Sequence, residues 1–118
     1  MSLQAEVWLK DDELVRLTVR GHAGFGTRGG DPVCAALSAL TRSVARLLAA
    51  SDRVKVVGSA AEAGSLEIEV VSVESGSHQW LLGVTDVLVR GLRDVADEAG
   101  VSVIEHNEDQ RGRERYGT

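Results

Sequence analysis

The sequence predicts an α+β domain in which an antiparallel sheet packs with two helices. Three features predict it. Two stretches of alternating apolar and polar residues are each broken by a turn, and each is followed by a stretch with helical apolar spacing. The 118 residues are one domain's worth, enough to bury a core without disulfides or metals. The element order is ββαββα, and residues Val101 to Ile104 can add a short final strand.

In the first stretch Leu3, Ala5, Val7 and Leu9 alternate with Gln4, Glu6, Trp8 and Lys10. After Asp11-Asp12-Glu13 the alternation resumes with Val15, Leu17 and Val19, which reads as a β-hairpin. GHAGFGTRGG follows, half of it Gly and without periodicity, so it is a permissive loop. Asp31-Pro32 ends the loop with an N-cap residue and a proline suited to the first helical position. The stripe Val33, Leu37, Leu40, Val44, Leu47 and Leu48 predicts an amphipathic helix to about Ala50. Cys34 falls about 100° around from Val33, with Ser38, Thr41 and Ala45 after it on a small, partly polar face.

Val54 to Val57, a turn near Ala61-Glu62-Ala63-Gly64, and alternating Leu66, Ile68 and Val70 form the second hairpin. From Ser77 the stripe Leu81, Val84, Leu88, Leu92, Val95 and Ala99 marks a second helix with Gly100 as its C-cap. Residues 1–106 are read as a single domain. Residues 107–118 have almost nothing to bury and are expected to be a disordered tail.

Aromatics are 3% of the chain, so its core must be built from Val, Leu, Ala and Ile. The 18 acidic and 13 basic residues leave a net charge of -5, and the cations are scattered apart from Arg111, Arg113 and Arg115. A phosphate-backbone footprint needs a basic patch, so direct nucleic-acid binding is not expected. The single cysteine excludes an internal disulfide and leaves a free thiol, which fits a reducing compartment. MSLQAEVWLKDDEL lacks the charged start and apolar run of a signal peptide, and no apolar stretch reaches membrane-spanning length. A cytoplasmic protein without membrane contact is expected.

Cys34 is the third residue of the first helix if Asp31 caps it. Unsatisfied backbone N–H groups and the positive dipole end there both favour thiolate. His22, at the end of the preceding strand, is a candidate proton acceptor across the glycine loop. The competing reading makes Cys34 a small core residue, the common fate of a lone cysteine. Asp31 can cap the helix or orient His22, and its carboxylate would oppose thiolate formation. Ser38 can donate to a substrate or to a carbonyl of its own helix.

Gly24-Phe25-Gly26-Thr27-Arg28-Gly29 matches the G-x-G-x-x-G dinucleotide pattern, but the strand before it belongs to a hairpin and the chain is too short for two mononucleotide halves. His78 and His106, with Cys34 and His22, could nominally supply four zinc ligands, but no spacing resembles a zinc motif. Both are read as surface residues, and no cofactor or metal is expected. Trp8, on the polar side of an assumed edge strand, marks either a subunit interface or a partly covered surface ring.

Taken together, Gly21-His22-Ala23-Gly24 and Gly29-Gly30-Asp31-Pro32-Val33-Cys34-Ala35-Ala36-Leu37-Ser38 resemble the signature of the Prp ribosomal-processing cysteine proteases. That signature runs G-H-A-G, then G-x-D-x-V-C-A-A-x-S, at similar spacing and chain position. The order of hairpin, helix, hairpin, helix and short strand is similar to that family's α+β fold.

The resemblance implies a homodimeric bacterial endopeptidase that removes an N-terminal extension from a large-subunit ribosomal protein, number twenty-seven of that subunit. It implies His22 and Cys34 as the catalytic dyad, Asp31 and Ser38 in support, and a cut after an aromatic-rich stretch. Residues Ala23, Gly24, Phe25, Gly26, Gly29 and Gly30 would form the loop over the substrate, which an extended peptide would reach along Ala35, Ser38 and Thr41. The chain departs from the pattern at Pro32, where a larger aliphatic residue is usual, and at Glu98-Ala99-Gly100, where a Tyr-Pro is common. The rival reading is a non-catalytic assembly factor that binds the same basic ribosomal protein through an acidic surface. A nucleotide-binding module stands third.

Overall fold

The fold is described from a computed structural model over residues 3–20, 32–59, 65–97 and 101–108. The first hairpin joins β1 (Leu3–Lys10) to β2 (Glu13–Arg20) through Asp11 and Asp12, which take φ of 52° and 70°. Positive φ at both central residues is what a two-residue type I′ turn requires, and its twist matches that of the strands it joins. The register shifts between Trp8 and Leu9, so that Leu9 faces Leu14 while Trp8 faces Arg16. This bulge buries Leu14 and leaves Val15, expected inward, half-buried.

Helix α1 (Pro32–Ala50) follows, then the second hairpin of β3 (Val54–Ser59) and β4 (Leu66–Val73), then α2 (His78–Ala96) and β5 (Val101–Glu108). The strand order is β3-β4-β2-β1-β5. β5 pairs with β1 in parallel, from Leu3 opposite Val101 to Lys10 opposite Glu108, while the other pairs are antiparallel. The sheet is therefore mixed rather than antiparallel, and the final strand takes in Asn107 and Glu108, which the sequence reading assigned to the tail. The expected C-cap Gly100 lies outside the described residues; α2 ends at Ala96 with Asp97 still in the αR conformation.

Both helices are crossovers. β2–α1–β3 and β4–α2–β5 each join strands that run the same way, and they step in opposite directions from oppositely directed strands. Right-handed crossovers then set both helices on one face of the sheet. Ala5, Val7, Leu9, Leu14, Leu17 and Val19 from the central hairpin meet Leu37, Val44 and Leu48 of α1 and Leu81, Leu88 and Leu92 of α2 there. The helices run antiparallel, with Gly91 of α2 so close to Leu40 that an added Cβ would stand 2.6 Å from its Cδ2.

Two threonines sit in this core where the apolar stripes gave no sign of them. Thr41 and Thr85 are each 1% exposed, and each hydroxyl donates to the carbonyl one turn earlier, Leu37 O at 2.8 Å and Leu81 O at 2.7 Å. Thr85 Oγ1 also accepts the N–H of Leu14 at 3.0 Å, which ties α2 to the start of β2. At the other edge, Arg93 makes a two-pronged ion pair with Glu105, each bond 2.8 Å, and holds that carboxyl below the usual range.

Thr85→Val keeps the shape of the side chain but strands the Leu14 N–H in an apolar setting. A loss of about 1–3 kcal/mol in urea unfolding is expected, whereas an unchanged midpoint would show that this hydrogen bond contributes nothing net.

Candidate active site

The candidate site grows from one end of the sheet. β2 ends at Arg20, opposite Gln4 of β1, and one residue earlier Val19 faces Leu66 at the start of β4. α1 leads through residues 51–53 into β3 and lies alongside it, so α1 begins at the end of the sheet where β2 leaves and β3 stops. One residue, Gly21, separates Arg20 from His22 in the sequence, and Cys34 is the third residue of α1. The end of β2 and the start of α1 thus lie at one corner of the sheet.

Cys34 stands in the first turn of α1, where backbone N–H groups lack intrahelical acceptors. No acidic residue lies within that turn, so the helix itself places no carboxylate against the positive dipole end. Ser38 follows one turn later on the same side of the helix and is half-buried. His22, Asp31 and the loop residues Ala23, Gly24, Phe25, Gly26, Gly29 and Gly30 lie outside the described residues, as does the side chain of Cys34.

The expected path along Ala35, Ser38 and Thr41 needs correction. Ala35 is exposed, but Thr41 faces the sheet with Leu37, Val44 and Leu48 and cannot line a surface path. The side of α1 that continues from Cys34 and Ser38 toward β3 is Arg42, Ala45 and Ala49. These residues line a groove of about 450 Å³ with Val56, Gly58 and Leu66. Sequence reasoning missed it, although 34, 38, 42, 45 and 49 keep helical spacing. A larger hollow of about 950 Å³ opens between α2, β5 and the β1–β2 turn, but its lining residues Leu9, Asp12 and Asn107 put it at the far end of the sheet from α1's start.

The remaining histidines do other work. His78 Nδ1 lies 2.6 Å from Glu13 Oε2, and His106 Nε2 lies 2.8 Å from Glu6 Oε2. His106 also stacks on Trp8, with ring centroids 4.7 Å apart. Neither joins a group of three or more His, Cys, Asp or Glu fit to hold a metal among the described residues. Trp8 is on an interior strand, not an edge, and is half-buried between His106 and Arg16.

The sequence profile of the family described as cysteine protease Prp matches residues 3–104. The chain belongs to the Prp cysteine protease family. As a member it is a hydrolase of the cysteine protease class, and its five-stranded sheet with two helices is the Prp fold.

Solved structures share that fold at low identity. SMU.848 from Streptococcus mutans is 20% identical, with a TM-score of 0.71 over 92% of this chain and 100% of its own. The essential ribosomal processing protease Prp from Staphylococcus aureus, in complex with a covalently linked product peptide, is 18% identical, with a TM-score of 0.66 over 87% of this chain and 98% of its own. The same protease with a substrate peptide gives 15% identity and a TM-score of 0.69 over the same shares. Comparison with curated proteins gave no match.

Cys34 is expected to react with iodoacetamide near neutral pH faster than a free peptide thiol, and His22→Ala to slow it without changing the thermal melt. Equal rates for parent, variant and free thiol would mean the corner does not activate the sulfur. A lost cooperative melt in the variant would make His22 structural.

Proposed function

We propose that this Prp family member removes a short N-terminal extension from ribosomal protein number twenty-seven of the large subunit, in the cytoplasm, with Cys34 as nucleophile and His22 as general base. The observation that carries the reading is the position of Cys34 in the first turn of α1, at the corner where the strand leading to His22 ends. The net charge of -5 supports a basic partner such as a ribosomal protein, which it attracts over distance. The ribosomal processing named for the Staphylococcus aureus relative supports the same substrate class.

In this mechanism His22 takes the thiol proton and the thiolate attacks the scissile carbonyl carbon. Backbone N–H groups at the start of α1 hydrogen-bond the oxyanion that forms. The C–N bond then breaks as His22 returns the proton to the leaving amine, which leaves a thioester on Cys34. Water gives a proton to His22 and attacks the thioester, releasing the new carboxyl end and the thiol. Asp31 caps α1 or orients His22, and Ser38 supports the nucleophile's helix face.

The test is mass spectrometry of the precursor protein incubated with parent and Cys34→Ala proteins. One cut by the parent and none by the variant, which still binds, is the expected result. Binding without any cut by the parent would favour the assembly-factor reading, and a cut by Cys34→Ala would exclude the thiol mechanism.

The reading includes pairing of two copies through the apolar groove between the helices. That groove is lined by Val44, Leu47, Trp80, Val84 and Val87, and Leu47 and Val87 are 47% and 64% exposed. Side chains of this kind gain from being covered. Leu47→Glu should turn a dimer into a monomer in sedimentation, and a parent protein that is already monomeric would rule the pairing out.

A further inference from the structure

The groove between α1 and β3 has three properties that point to one occupant. β3 is an edge strand, paired with β4 and with no other strand among the described residues. Small or short side chains, Ala45 and Ala49 from the helix and Val56 and Gly58 from the strand, line the groove together with Leu66 and Ile68 of β4 and with Arg42 and Arg46. Gly58 lies so close to β4 that an added Cβ would stand 2.3 Å from the carbonyl oxygen of Glu67, so this part of the floor cannot carry a side chain. Finally, the groove lies on the side of α1 that continues from Cys34 and Ser38.

We propose that this groove holds the substrate beyond the scissile bond: an extended apolar stretch of the peptide adds to β3 as a further strand, with alternate side chains set between Ala45, Ala49, Val56 and Gly58. The inference rests on the protease reading above and deepens it. Strand addition draws its affinity from main-chain hydrogen bonds to an open edge, and its selectivity from pockets for alternate side chains. Cys34 and Ala45 are about 16 Å apart along the helix, a distance that about five extended residues cover. The docked residues therefore begin about five positions from the cut.

A second copy of the chain is the rival occupant, and charge disfavours it. Edge-to-edge pairing of two β3 strands about a two-fold axis would bring Arg46 and Lys55 of one copy toward those of the other. Like charges so placed, and an edge lysine in particular, oppose such pairing. An apolar peptide stretch brings no cation of its own to that place.

The experiment measures fluorescence anisotropy on the Cys34→Ala protein, with labelled peptides from the processing site that extend about three or about ten residues on each side of the cut. The longer peptide should bind at least about tenfold tighter. Ala49→Trp, which fills the groove from an exposed helical position, should erase that advantage and leave the short peptide unaffected. Ser43→Trp, exposed on the same helix but off the groove, should change neither, and circular dichroism checks that both variants are folded.

Equal affinity for the two lengths, or an Ala49→Trp variant that keeps the full advantage or weakens both peptides alike, overturns the proposal. So does a variant that alters only self-association in sedimentation, since the groove would then hold a second copy. Cleavage assays on the parent separate the two levels of inference. If both peptides are cut at equal efficiency, the protease reading stands and the groove proposal falls. If neither is cut while the length effect and its loss in Ala49→Trp persist, the groove stands and the protease reading falls.

Discussion

The rotation of α1 about its own axis is the constraint from which the site follows. Leu37, Thr41, Val44 and Leu48 are all buried against the sheet, and each leucine stabilises the fold by roughly 1.5–3 kcal/mol through removal from water. Turning the helix by one residue, about 100°, would lift these side chains out and bring Ser38, Arg42 and Ala49 in. Helical spacing then leaves no freedom for position 34: its place around the helix is fixed by core residues further along α1. The crossover of β2 into α1 fixes the rest, because it carries the chain from the strand that leads to His22 to the start of the helix. The corner where α1 begins is thus inherited from packing.

The other face of the sheet has no helix over it among the described residues, and a row of polar and aromatic side chains covers it instead. His106, Trp8 and Arg16 stand side by side on β5, β1 and β2, and Arg16 reaches on to Glu67 of β4. The Trp8 ring lies between an imidazole and a guanidinium, 5.0 Å from the latter, an arrangement that stacking and cation–π attraction favour. Arg16 Nε is buried without a hydrogen-bond partner among the described residues, a cost that its place over the ring offsets in part. Thr18 is 2% exposed on this side, which shows how closely the row covers the strands. Of the histidines that the sequence offered as ligands, His106 belongs to this row and His78 pairs with Glu13.

The strongly periodic parts of the chain were legible. The hairpins, the start of α1 at Pro32 and its end at Ala50 follow from alternation, the proline and the leucine spacing. What escaped has identifiable causes. Thr41 and Thr85 read as polar, yet each satisfies its hydroxyl on its own helix and so packs like a short aliphatic residue. Val15 gave way to Leu14 because a bulge resets alternation without leaving a mark in the pattern. The length of β5 was hidden because Glu105 and Asn107 fall at positions in register with buried Val7 and Leu9, and Glu105 is tolerated there through Arg93. Its parallel partner was hidden too, since local pattern does not say which strand lies beside which. At the site, the residue blocks around His22 and Cys34 carried the family, while Arg42, Ala45 and Ala49 looked like an ordinary solvent face. That they border an edge strand is a property of topology alone.

The pairing of β1 with β5 bears on how the molecule is made. Each partner in that register is about a hundred residues from the other along the chain, so the contact closes a loop nearly as long as the domain. During synthesis β1, β2, α1, β3 and β4 can assemble while one edge of β1 waits, open, for the strand that emerges last. Until then β1 presents the alternating row Ala5, Val7 and Leu9 beside an unpaired edge, a template for pairing with other chains. The start of α1 belongs to the early part, so the corner where that helix begins can form before the sheet is finished. The final strand then acts as a seal on a sheet whose other four strands are already paired.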